Sequence, residues 1–115
     1  MTLSAKQPLS SNVLRTVSEE NSFRFYNDLD SPSGLAARNL QEFVSQIANA
    51  TSESVEFHSK RHDFQNWVQM LGDPTLAKQI DTLSSQELAP DELKSKILRI
   101  LRMRVGKLRK LANGS

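Results

Sequence analysis

The chain has 115 residues, 37% hydrophobic and 24% charged, which suits one domain with a modest core. It contains no cysteine, which excludes a disulfide framework, a thiolate nucleophile and any thiolate-held zinc or iron–sulfur centre, and which fits a cytoplasmic setting. The net charge of +2 hides an asymmetry, because residues 1–90 carry 7 basic and 11 acidic side chains whereas residues 91–115 carry 8 and 2.

Residues 1–21 hold Pro8 and four serines among scattered apolar positions. They read as a flexible N-terminal arm that adds little to the core, with at most a turn around residues 12–17. A single α+β domain is expected over residues 22–112. Residues 22–27 alternate, Phe23 and Phe25 on one face and Arg24 and Tyr26 on the other, as in a half-buried strand. Residues 28–34 are dense in turn formers, and residues 35–38 return as a short second strand. Asn39 caps a helix over residues 40–48 whose apolar positions Leu40, Phe43, Val44 and Ile47 form one stripe, with Glu42 completing a variant capping box.

Residues 54–58 alternate again, Val55 and Phe57 sharing a face, and predict another strand. Asp63 caps a helix over residues 64–71 that ends at Gly72. Asp73 and Pro74 begin the next, over residues 74–83. Pro90 opens a long helix over residues 90–111, with Leu93, Ile97, Ile100, Leu101, Val105, Leu108, Leu111 and Ala112 along its apolar stripe. The fold class is therefore α+β: a small N-terminal sheet of two or three strands packed with about four helices, the last long, basic and amphipathic.

Strong catalytic spacings are missing. His58, His62 and Asp63 supply the minimum ligand inventory for a metal or a histidine-based enzyme site, but they straddle an expected strand end and a helix cap, so convergence would have to come from the loop between them. No cofactor, metal or catalytic residue is assigned. Residues 28–39 begin like a calcium loop, yet Pro32 takes the fifth position and Asn39 stands where the final glutamate belongs. Trp67, with Phe57 and Phe64, could line a pocket but sits in a helical core stripe. No run of about 18 apolar residues spans a bilayer and the first 22 residues lack a signal-peptide core, so neither membrane nor export is expected.

The basic helix has the clearest physical consequence. Arg99, Arg102, Arg104, Lys107, Arg109 and Lys110 are the candidate contacts to an anionic partner, a nucleic acid or ribonucleoprotein among them. A protein partner or a second copy of the chain would instead use the stripe Leu101, Val105 and Leu108.

A set of short motifs runs through the chain: Phe25 with Gly34, Leu40-Gln-Glu-Phe43, Ser54-Val-Glu-Phe-His58, Arg61-His-Asp-Phe64, Trp67-Val68, Leu71-Gly-Asp73, Leu76-Ala77 and Glu92-Leu93. On these residues the chain resembles a family of small, mainly archaeal domains of unknown function. The resemblance implies the strand–helix order above and no activity. It also implies glycine or asparagine at the position of His62, which weakens a metal reading, and it marks His58, Arg61, Asp63 and Trp67 as a candidate functional surface. The reading is a non-enzymatic binding or adaptor domain.

Overall fold

Local capping chemistry sets the starts of three of the helices. The computed structural model describes residues 9–28 and 31–114, in the order α1 (Leu9–Val13), a 3-10 turn (Glu19–Asn21), β1 (Phe23–Asp28), β2 (Ser31–Ala37), α2 (Leu40–Asn49), α3 (Ser52–Lys60), α4 (Asp63–Leu71), α5 (Pro74–Ser84) and α6 (Pro90–Gly114). The α+β class stands: a two-stranded antiparallel sheet packs with helices, the last of them long. Asn39 caps α2 by accepting the Glu42 amide at 2.8 Å, while the Glu42 carboxylate takes the Arg38 amide. Asp73 caps α5 through the Leu76 amide, with Pro74 at the first helical position.

The sheet departs from the expected turn. Strand β2 begins at Ser31, so Pro32 to Gly34 lie inside the strand rather than in the reversal; Leu29 and Asp30 fall outside the described residues. Tyr26 pairs with Pro32 and Arg24 with Ala36, which leaves β2 with more residues than β1 over the same stretch. Gly34, at φ 88°, absorbs that bulge, and the Ser33 hydroxyl donates to the Phe25 carbonyl across it.

Two expectations are corrected. Residues 54–58 are not a strand but part of helix α3, started by Thr51, whose hydroxyl accepts the Ser54 amide. Its buried positions are Ser54, Val55, His58 and Ser59, a helical period written mainly in polar side chains, so hydropathy registers only Val55 and Phe57 and mimics alternation. Nor do residues 9–21 stand apart from the core. Val13 and Val17 are buried, α1 packs on α4 and α6, and the Arg15 guanidinium donates to the Leu71 carbonyl at 2.8 Å, where the end of α4 favours a cation. Residues 1–8 of the expected arm lie outside the described residues.

The core is continuous from β1 to α6. Phe23 makes edge contacts with Phe25, Phe43 and Trp67, and the aliphatic residues Leu40, Ile47, Leu71, Leu76, Ile80, Leu93, Ile97 and Leu101 complete it. Among the described residues no helix is long and apolar enough to cross a membrane.

Candidate functional site

The sharp link between α3 and α4 organises the first of two candidate sites. His62 adopts φ 67°, a left-handed conformation, and turns the chain so that His58, in the last turn of α3, faces Asp63 at the start of α4. His62 therefore occupies the cap position, and Asp63, expected there, is the first helical residue instead. Its carboxylate is drawn away to His58, with Asp63 Oδ2 lying 2.9 Å from His58 Nδ1, and to Arg61, whose Nε donates to the same oxygen at 3.1 Å.

The other imidazole nitrogen is also engaged. His58 Nε2 accepts the backbone N–H of Tyr26 at 2.8 Å, which fixes the proton on Nδ1. Burial lowers the His58 pKa below 6.5, against the raising effect of Asp63, so the ring is neutral at pH 7. One turn earlier on the same helix, the Ser54 hydroxyl donates to the Tyr26 carbonyl. Serine, histidine and aspartate thus stand in a sequence suggestive of a hydrolase, yet the nitrogen that would act as base is spent on a backbone amide. The set instead fastens β1 to α3 and α4.

Outside this fastening lies an open cleft of about 560 Å³. His58, Arg61, Asp63 and Trp67, the four residues of the candidate family surface, all line it. Arg61 is half exposed and lies over the Phe57 ring, 5.1 Å from its centroid. Trp67 is largely buried, its indole N–H donating to the Asn21 carbonyl at 2.8 Å, and Phe64 is wholly in the core. Arg24 and Tyr26 join the lining from β1, two residues that sequence reasoning passed over; their signal was the outward half of the β1 alternation.

His62 does not join His58. It is exposed and its Nδ1 lies 3.0 Å from Asp81 Oδ1 on α5, and among the described residues no three histidine or carboxylate side chains gather as metal ligands. The alternative of His58, His62 and Asp63 as one metal-binding set does not fit the geometry, because the left-handed turn sends the two imidazoles to different partners.

The second candidate site is α6. Leu93, Ile97, Leu101, Val105 and Leu108 are buried, and the stripe ends there: Leu111 is 58% exposed. Of the six proposed cationic contacts, Arg99, Arg102, Lys107, Arg109 and Lys110 are exposed. Arg104 is not available, since its guanidinium grips the buried Asp73 carboxylate with two bonds of 2.7 and 3.0 Å. Lys94 also serves the fold, donating to the Ala48 and Ala50 carbonyls at the end of α2. Gly106, in the interior of α6, has open space where a Cβ would stand.

No curated protein and no solved structure matches the chain. A family model does match, described as a family of unknown function (DUF5752), over residues 6–102, a segment that holds the whole cleft and ends within α6. On that match the chain belongs to this family of unknown function.

Proposed function

We propose that this protein is a binding domain, not an enzyme, and that the outer face of α6 contacts the phosphates of a nucleic acid. One observation carries the reading: Arg99, Arg102, Lys107, Arg109 and Lys110 stand exposed on one helix without an acidic partner among the described residues, while the apolar side of that helix is sealed into the core. Five cations over residues 99–110 span about 17 Å of helix, enough to meet several phosphates. A protein partner or second copy docking through Leu101, Val105 and Leu108 is disfavoured by the burial of all three. The absence of catalysis is supported by His58, whose nitrogens are both committed. The lack of cysteine accords with the cytoplasm, where nucleic acid is accessible.

The test is a fluorescence-anisotropy titration with short duplex DNA and structured RNA at several salt concentrations. Affinity falls log-linearly with salt, with a slope of about −4 to −5 if all five cations meet phosphates. Reversing Arg99, Arg102 and Lys107 to glutamate abolishes binding while the circular dichroism spectrum is kept. Salt-insensitive binding, or none at low salt, overturns the proposal.

A further inference from the structure

The cleft between β1, α3 and α4 has donor groups that the fold leaves unused. Arg61 is held in two ways, by the bond from its Nε to Asp63 and by its seat over Phe57. Its two terminal Nη nitrogens have no protein partner among the described residues. A guanidinium fixed at one edge and free at the other is a prepared fork for an oxyanion, because the ordering cost of the side chain is already met. Arg24, exposed on β1, and Asn66, exposed on α4, line the same cleft with side chains unpartnered among the described residues. Tyr26, Phe57 and Trp67 supply aromatic surface beside these donors.

The acidic groups do not cancel this arrangement. Asp63 Oδ2 already accepts from His58 and from Arg61 Nε, and Glu20 is exposed on the 3-10 turn. His58, neutral and doubly bonded, contributes shape rather than charge. The volume of about 560 Å³ falls in the range of small-molecule sites, where a few converging polar groups orient a ligand against apolar walls.

We propose that this cleft binds a small organic anion, a carboxylate or phosphomonoester on an aromatic or apolar body, with Arg61 and Arg24 taking the anion and Tyr26, Phe57 and Trp67 the body. The site is separate from the outer face of α6, and each can fail without the other.

Trp67 is the only tryptophan, so its fluorescence and its indole N–H resonance report on the cleft without added label. Phenyl phosphate and benzoate are titrated into the full-length protein, with inorganic phosphate and benzyl alcohol as single-feature controls. Saturable shifts of the Trp67 signal are expected with a dissociation constant at or below about 1 mM for at least one of the two anions, and the tighter of the pair identifies the anionic group. Each control binds about tenfold or more weakly than that anion, as does Arg61→Gln protein that melts like the parent. Arg24→Gln, at an exposed position, gives a smaller loss, and the α6 charge reversals leave the titration unchanged. Shifts that never saturate, equal binding by inorganic phosphate, or affinity unaffected in both arginine variants would each overturn the proposal.

Discussion

His58 draws on neighbours from two further elements, Tyr26 of β1 and Asp63 of α4, and its charge state is part of the fold. Protonating Nε2 would set two donors face to face at the Tyr26 amide. Because burial lowers its pKa in the native state below 6.5, the unfolded chain takes up a proton first as the solution is acidified. The His58 contribution is complete above about pH 6.5 and is lost progressively as pH falls from there to the native pKa. The urea midpoint should therefore drop as the pH falls below about 6.5, and His58→Gln should flatten that slope while lowering stability on both sides of it. His62 presents the opposite case, a side chain that works against its backbone. At φ 67° a Cβ is unfavourable, and the contact with Asp81 is too exposed to compensate. His62→Gly should raise stability by about 0.5–1 kcal/mol in urea denaturation, net of the greater entropy of glycine in the unfolded chain.

At the scale of elements, the helices with apolar stripes were legible. The Leu40, Phe43 and Ile47 stripe, the Asn39 and Asp73 caps and the Gly72 stop all stand where local chemistry places them. Helix α3 was not legible, since burying serine and histidine depends on acceptors and donors supplied by β1 and α4, which no local window contains. Helix α6 was found by its period, but its cations could not be sorted. Lys94 and Arg104 differ from Arg99 and Arg102 only in what lies opposite: carbonyls at the end of α2 for one, Asp73 for the other. The Arg104 pair ties α6 to the buried Asp73 at the start of α5. Arg104→Ala should cost about 3 kcal/mol, because it strands the Asp73 carboxylate, and thermal or urea melts will measure it.

Across the whole molecule, the N-terminal segment closes the helical layer. Asn12 and Arg15 donate to the Leu71 carbonyl, and Val13 enters the core. Gly72 leaves room for this approach: a Cβ there would stand 2.7 Å from the Asn12 amide nitrogen. Val13→Ala should thus lower global stability by about 2 kcal/mol, from lost transfer energy and the cavity left behind. Trp67 fluorescence and far-ultraviolet circular dichroism should report the same transition, since one core links α1 to the sheet. An early fluorescence-silent loss of helix would show instead that the segment detaches by itself.

The sequence by itself determined the α+β class, the existence of the hairpin, the Asn39 and Asp73 caps and the basic character of the last helix, because each follows from chemistry within a few neighbouring residues. The family resemblance marked His58, Arg61, Asp63 and Trp67 together. Only the tertiary structure decided that residues 54–58 are helical, that His58 and His62 part company, that Arg104 is internal, and that the four marked residues share a cleft with Arg24 and Tyr26. Those outcomes depend on polar partners brought together by chain reversal, and a hydrogen bond between distant residues leaves no periodicity to read.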